Sequence, residues 1–344
     1  MLGGLESYQQ LTHAHAHTIG SHWVLFEERL LRFLRLAGPQ CRSPQPLHLA
    51  YFRRTDIVHT HNPKPRIYGR IAARLARVPL VINTVHGLYA LPEDSRTKRT
   101  LVYTLERIAA SFSHAELVEN PEDLTVLRKL HLLGNGVDLT RFDPDAYPDA
   151  RERLRKELGI TDDQVMVGLV GRLVAEKGYR EVFAAARRLR QNRPEAVFVV
   201  VGPTNLDKSD AITRAELDRA TDEAGVRFLG ARDDVEQLYS AMDLYVLASQ
   251  RDGFPRSAME ATAMGLPIVA TNIRGFRQVD HDIAGLLVGA RDVDALTEAI
   301  DRLLADADLL RSMAAAALER SIRAFDDRTQ IAITLERYAA AGTR

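Results

Sequence analysis

From Val165 to Val288 the sequence repeats one rhythm: a short unbroken apolar run, a polar turn, then a stretch whose apolar residues recur at helical spacing. Val165–Val170 (VMVGLV), Ala196–Val201 (AVFVVV) and Leu244–Leu247 (LYVL) show little alternation of polar and apolar residues. A strand with one wet face alternates, whereas a continuous apolar run suits a strand covered on both faces. Strands of that kind sit in parallel sheets flanked by helices, so the repeat predicts a doubly wound α/β unit. Its remaining strands are expected at Val226–Leu229, Pro267–Ala270 and Gly285–Val288, and its helices at Tyr179–Gln191, Ala211–Ala224 and Val235–Ala241. A weaker version of the rhythm precedes it. There, strands are expected at Thr55–His59, Leu80–Thr84, Ala115–Val118 and His131–Leu133, with helices at Pro65–Leu75, Arg96–Ser111 and Pro121–Lys129.

A chain of 344 residues has room for two such domains. The Pro- and Asp-rich stretch Asp143–Pro148 is the expected linker. The domains are therefore expected at 1–145 and 146–326, with a last helix over 327–344 crossing back to the first. The chain opens at Met1-Leu2-Gly3-Gly4 without a hydrophobic strand before the glycines, so a first βα unit is expected to be incomplete.

Charge divides the chain although the total is zero. Met1 to Leu130 carries 17 Lys+Arg against 11 Asp+Glu, and the remainder carries 29 against 35. A basic first half suits an anionic partner such as phosphate or a membrane surface. Arg66, Arg70, Arg74 and Arg77 recur at helical spacing and are expected to form one basic helix face. Cys41 is the single cysteine, which excludes a disulfide framework and a thiolate metal site and fits a cytoplasmic protein. No apolar run reaches the ~18 residues of a spanning helix. His13, His15 and His17 alternate, but no carboxylate or cysteine lies near them at ligand spacing, so they are read as scattered histidines.

Two motifs carry chemistry. Gly171-Arg172-Leu173-Val174-Ala175-Glu176-Lys177-Gly178 follows a predicted strand and precedes a helix, where phosphates bind in doubly wound sheets. Arg172 can fork two phosphate oxygens and Lys177 adds a mobile charge, with Glu176 placed to hold either. Asp252-Gly253-Phe254-Pro255 then precedes Glu260 by a Gly-containing turn and the start of a helix, giving two carboxylate acceptors for sugar hydroxyls. Each motif alone also fits an ordinary turn or a capped surface helix.

Together, with Phe228-Leu229-Gly230, Ala241-Met242-Asp243 and Gly265-Leu266-Pro267-Ile268-Val269-Ala270-Thr271, they resemble glycosyltransferase family 4. Asp56–His61, Pro79–Gly87 and Gly134–Asp138 resemble the same family in the first half. The resemblance implies the GT-B fold, two facing Rossmann-like domains, and a retaining, metal-independent transfer of sugar from a nucleotide-diphosphate donor. The acceptor would be a glycan or a lipid-linked one, in bacterial surface polysaccharide synthesis. It also implies roles for residues of this chain. Donor binding would fall to Gly171, Arg172, Lys177, Arg232, Asp252, Gly253, Phe254 and Glu260, and catalysis to His86, Arg172, Lys177 and Asp252. The acceptor side would use Gly3, Gly4, His86 and Asn135. No cofactor, metal or nucleic acid is implied. The expected place is the cytoplasm, peripheral on the inner membrane face, against an anionic membrane surface.

Two departures from the family stand out. Asp252 occupies a position usually held by Glu, one methylene longer, and Pro255 removes a backbone N–H. Two other readings share the fold: a non-hydrolysing nucleotide-sugar epimerase, and a catalytically silent nucleotide-sugar binding protein.

Overall fold

The structure is a computed structural model that describes residues 55–61, 63–88, 90, 94–125, 130–204, 210–279 and 284–340. Gly3, Gly4, the histidines at 13, 15 and 17, and Cys41 lie outside them. The chain divides into two compact units, with crossings at Gly134/Asn135 and Arg328/Thr329.

The first unit holds four parallel strands in the order β1-β2-β3-β4: β1 Ile57–Thr60, β2 Leu80–Val85, β3 Ala115–Val118 and β4 Leu130–Leu132. Helix α1 (Pro63–Leu75) joins β1 to β2, and α2 (Arg96–Ala110) joins β2 to β3. Ser95 caps α2 by accepting from the Lys98 N–H. After β3, Pro121–Thr125 makes a 3₁₀ turn where a helix to Lys129 was expected, and 126–129 lie outside the described residues.

Every residue of β2 is buried, including Asn83 and Thr84. Buried polar groups need partners, and these have them. Arg70 of α1 is fully buried, and its Nη1 donates to Glu116 Oε1 at 2.6 Å while Nη2 donates to Glu106 Oε2 at 2.9 Å. Asn83 donates to the other Glu116 oxygen at 2.6 Å, and Thr60 donates to Asn83 Oδ1 at 2.9 Å. The network joins β1, α1, β2, α2 and β3. It also corrects the expected basic face, since Arg70 points into the core. Arg77 lies beyond the end of α1, in a left-handed conformation with φ 62°. The side chain of Arg66 lies outside the described residues.

The second unit is a six-stranded parallel sheet in the order β10-β9-β8-β5-β6-β7. Its strands are β5 Val165–Val170, β6 Ala196–Val201, β7 Arg227–Gly230, β8 Leu244–Leu247, β9 Ile268–Thr271 and β10 Gly285–Val288. Alternate residues of the central strands feed two cores. Met166, Val197, Val199, Tyr245 and Leu247 pack on one side, and Val167, Leu169, Phe198, Val200, Leu244 and Val246 on the other. That two-sided burial is why the strands read as unbroken apolar runs.

The helices of this unit are α3 Ala150–Glu157, α4 Tyr179–Leu189, α5 Arg214–Ala224, α6 Val235–Ala241, α7 Arg256–Ala263, α8 Arg274–Val279, α9 Val293–Ala305 and α10 Ala307–Ala324. Helix α3 was not anticipated. Its sequence, ARERLRKE, offers little apolar period, and it is held by Arg155, which is buried and bonds Asp243 at 2.9 Å and the carbonyls of Thr161 and Gln164. Val137, Phe142, Ala150 and Leu154 join the core of this unit, so the Asp143–Pro148 stretch lies within it. A last helix, α11 (Asp327–Ala339), packs Ile333 and Tyr338 against Leu80, Ile82, Ala115, Leu117 and Leu133 of the first unit.

Arg70→Ala would take the guanidinium away from the buried Glu106 and Glu116. It should destabilise the first unit by about 3–5 kcal/mol, measured as a lower urea midpoint; a change within error would overturn this account of the network.

Candidate active site

In a doubly wound sheet, ligands bind beyond the strand carboxyl ends where the strand order reverses. Here β5 has β6 on one side and β8 on the other, so the reversal falls between β5 and β8. Both motif segments leave from these two strands.

The loop after β5 is tightly held. Tyr179 donates from its hydroxyl to the Gly171 carbonyl at 2.9 Å, and the Ala175 N–H donates to Asp210 O at 2.7 Å. A 3₁₀ turn over Ala175–Lys177 ends at Gly178, whose φ of 74° is left-handed. A β-carbon there would also lie 1.9 Å from the Ala248 carbonyl oxygen. The two loops thus touch backbone to backbone, and Gln250 N–H donates to Glu176 O at 2.8 Å. Lys177 Nζ comes to lie 2.5 Å from Asp252 Oδ2, both side chains mostly buried. The partner of Lys177 is therefore Asp252, not the neighbouring Glu176. Arg172 is exposed and has no ion-pair partner among the described residues.

After Asp252 the chain runs through Gly253 and Phe254 into α7, which starts at Arg256 behind Pro255. Glu260 therefore sits one turn inside the helix and not at its start. Gly275 of α8 packs against this loop so closely that a β-carbon would lie 2.8 Å from the Asp252 carbonyl oxygen. Phe254 is half-buried against the core. Glu260 Oε2 accepts from the Tyr239 hydroxyl at 3.1 Å, and burial pushes the Glu260 carboxyl above its ordinary range.

Arg232 follows β7 and is engaged within the chain. Its Nε and Nη2 fork Asp234 at 2.9 and 2.8 Å, and its Nη1 bonds Glu157 at 3.1 Å, so three of its five N–H groups are taken by this chain's own carboxylates. Asn135 begins the second unit and turns its Oδ1 onto the Gly136 N–H.

In the first unit, three neighbouring strands bring polar side chains to their carboxyl ends. His61 follows β1, His86 follows β2 and Glu119 follows β3. Glu119 Oε1 lies 2.6 Å from His86 Nδ1, so Nδ1 carries the proton. His86 Nε2 lies 3.0 Å from His61 Nδ1, and the two rings stack at 5.2 Å. His61 stacks in turn on His59 at 4.3 Å, and His59 bonds Tyr338 of α11 at 2.6 Å and Thr84 at 2.7 Å. His59, His61, Glu119 and Tyr239 were not singled out as site residues from the sequence. The available signal was position: the first three are polar residues at or just past the end of an apolar strand.

Comparison with known proteins places the chain among glycosyltransferases. A family described as "Glycosyl transferases group 1" matches residues 150–320, and one described as "Glycosyl transferase 4-like" matches residues 51–117. A relative from Escherichia coli, UDP-Gal:alpha-D-GlcNAc-diphosphoundecaprenol alpha-1,3-galactosyltransferase, is 34% identical over 73% of this chain and 67% of its own length. A relative from Campylobacter jejuni, N,N'-diacetylbacillosaminyl-diphospho-undecaprenol alpha-1,3-N-acetylgalactosaminyltransferase, is 28% identical over 78% of this chain and 73% of its own. Among solved structures, Anabaena HepE in complex with UDP and glucose superposes with a TM-score of 0.72 at 25% identity, covering 84% of this chain and 79% of HepE.

The histidine stack makes stability depend on pH. Burial and the neighbouring imidazoles hold His59 well below its ordinary value and lower His61 from 6.5 to about 4. The fold thus favours the neutral rings. Their contribution is complete above about pH 6.5 and is lost as pH falls from there through about 4, by about 1.4 kcal/mol per pH unit for each ring that must stay neutral. Urea unfolding between pH 7 and 4.5 should therefore fall more steeply for the wild type than for His61→Gln; parallel profiles would refute the assignment.

Proposed function

The chain belongs to the group 1 glycosyl transferases, of the GT-B fold, and from that premise we propose that it moves a sugar from a nucleotide-diphosphate donor to a lipid-linked glycan acceptor in surface polysaccharide synthesis. Transfer proceeds with retention at the anomeric carbon and without a metal ion or other cofactor. The single observation that carries this reading is the meeting of Lys177 with Asp252, beside the open Arg172, at the point where the sheet reverses. The acceptor class is supported by the diphosphoundecaprenol acceptors named for the Escherichia coli and Campylobacter jejuni relatives.

In this reading Arg172 and Lys177 hold the donor diphosphate and neutralise the charge that develops as it leaves, which is the work a divalent ion does elsewhere. Asp252 leaves Lys177 to the phosphate and accepts from a hydroxyl of the donor sugar, helped by the N–H groups of Gly253 and Phe254. Pro255 contributes none. Glu260 accepts from the ribose hydroxyls. His86, its ring orientation set by Glu119, is the catalytic side chain that the first unit contributes. The leaving phosphate takes the proton of the attacking hydroxyl, so attack and departure share one face of the sugar.

UDP-galactose with GlcNAc-diphosphoundecaprenol, the pair named for the Escherichia coli relative, is the first substrate pair to test, followed by UDP-, GDP- and ADP-sugars in a thermal-shift screen. Transfer should persist in EDTA, and Arg172→Ala or Lys177→Ala should cost on the order of 2–4 kcal/mol in transition-state stabilisation. Loss of transfer in EDTA with recovery in Mg²⁺ or Mn²⁺ would overturn metal independence. Full activity in the folded double variant would overturn the clamp.

We also place the acceptor at an anionic membrane surface, to which this peripheral protein docks from the cytoplasm. Among the described residues no helix is long and apolar enough to cross a membrane. With Arg70 buried, the docking face is carried by the exposed Arg74 and Arg77 and by α2. That helix exposes Leu101, Leu105 and Ile108 by 61%, 42% and 52% at helical spacing, alongside Arg96 and Arg107. Each basic residue at such a surface contributes about 1 kcal/mol and is screened by salt. The protein should sediment with phosphatidylglycerol vesicles at low salt and release at high salt. Leu101→Asp with Ile108→Asp should abolish sedimentation and leave donor binding intact; equal sedimentation of variant and wild type would exclude this face.

A further inference from the structure

Glu260 is the candidate ribose acceptor, but a carboxylate selects a diol only if something fixes its orientation. Its residue lies one turn inside α7, and Tyr239 of α6 is the one side chain that donates to it among the described residues. The other carboxylate oxygen, Oε1, has no donor from the chain among those residues.

Tyr239 is suited to fixing a partner. It is fully buried, and its ring makes edge contacts with Phe142 at 6.1 Å and Tyr245 at 6.0 Å. A fully buried ring packed against two others has little room to swing, so its hydroxyl is delivered to one place. That place lies 3.1 Å from Glu260 Oε2 and 3.1 Å from the Ser257 carbonyl oxygen. One hydroxyl proton serves one of them at a time, and the charged carboxylate is the stronger acceptor. The neighbouring Tyr245 is not a competitor for Glu260, because its hydroxyl donates to Ser257 Oγ at 2.7 Å.

We propose that Tyr239 is a specificity-determining positioning residue: its hydroxyl pins Glu260 Oε2 so that the carboxylate presents its remaining lone pairs to the vicinal 2′- and 3′-hydroxyls of a ribonucleoside diphosphate. This rests on the donor reading above and names the group that lets the site tell ribose from 2′-deoxyribose. A site built to bond a hydroxyl rejects the analogue lacking it, because its own buried acceptor is left unpaired.

The charge on Glu260 supplies a second signature. Burial favours its protonated form. Arg256 at the start of α7, the Tyr239 hydroxyl and Arg141 favour the carboxylate, while Glu236 on α6 opposes it. Removing the Tyr239 hydroxyl takes away one of the groups that keep Glu260 ionised. The protonated acid is the poorer acceptor for a diol, so the acid limb of ribonucleotide binding moves to higher pH.

The test is calorimetric titration of the full chain with UDP, ADP and GDP and with the 2′-deoxy form of each. The wild type should bind one of the three ribonucleotides about tenfold or more tighter than its deoxy form. Tyr239→Phe keeps the ring against Phe142 and Tyr245 and removes the hydroxyl alone. It should weaken the preferred ribonucleotide about tenfold, leave its deoxy form unchanged and raise the pH at which ribonucleotide binding is half lost. Ribose preference and pH profile unchanged in Tyr239→Phe would overturn this inference while leaving the donor reading intact. Equal weakening of both forms would show a merely structural role and overturn it as well. A wild type that binds none of the three diphosphates would overturn the donor reading and this inference with it.

Discussion

The site in the second unit depends on how closely two loop backbones can approach at the carboxyl ends of β5 and β8. A β-carbon on Gly178 would sit 1.9 Å from the Ala248 carbonyl oxygen, and one on Gly202 would sit 1.9 Å from that of Gly171. No side chain fits in such a gap. Because the backbones meet there, Lys177 reaches Asp252 across 75 residues of sequence. Gly275 does the same from the far side, with its α-carbon against the carbonyls of Asp252 and Gly253. The chemistry of the site therefore rests on three contacts that contain no chemistry, each made where only hydrogen is tolerated.

Much of this was legible in the sequence. β5, β6, β8 and β10 begin and end where unbroken apolar runs do, since burial on both faces leaves a plain signal. α6 has its expected ends, and α5 starts at Arg214, behind a Thr213–Glu216 capping box, three residues later than its apolar period suggested. Less legible was whatever depends on charge inside the fold. Arg70 looked like one tooth of an exposed basic comb, because spacing alone cannot tell a solvated arginine from one that neutralises two buried carboxylates. Helix α3 was not anticipated for the same reason: Arg155 does by hydrogen bonding what an apolar side chain would have announced. Within the candidate site, Gly171, Arg172, Lys177, Asp252 and Glu260 came from motifs, whereas Tyr239 was hidden, being an aromatic on a helix whose ring is core and whose hydroxyl meets Glu260.

The two units solve the burial of polarity in different ways. The first concentrates it: a guanidinium, two carboxylates, an amide and a hydroxyl share one interior network, and a second row of imidazoles lines the strand ends above it. The second buries fewer charges: its two cores are mainly apolar, and its buried guanidinium, Arg155, bonds Asp243 and nearby carbonyls. A dense polar interior is demanding, since each member loses its partners if one is misplaced. It also fixes the strand-end side chains with little freedom, which suits His86, held by Glu119 on one nitrogen and facing His61 on the other.

The return of α11 to the unit where the described chain starts has a consequence for synthesis. Leu80, Ile82, Ala115, Leu117 and Leu133 are translated well before Ile333 and Tyr338, which pack on them. The whole second unit, Asn135–Arg328, emerges in between. At the usual ribosomal pace of ~5–20 residues per second, the first sheet waits roughly 10 to 40 seconds for Ile333 and Tyr338, and His59 waits as long for its tyrosine. The usual order, in which one domain is complete before the next appears, is thereby inverted: the second unit has emerged whole before α11 reaches the first.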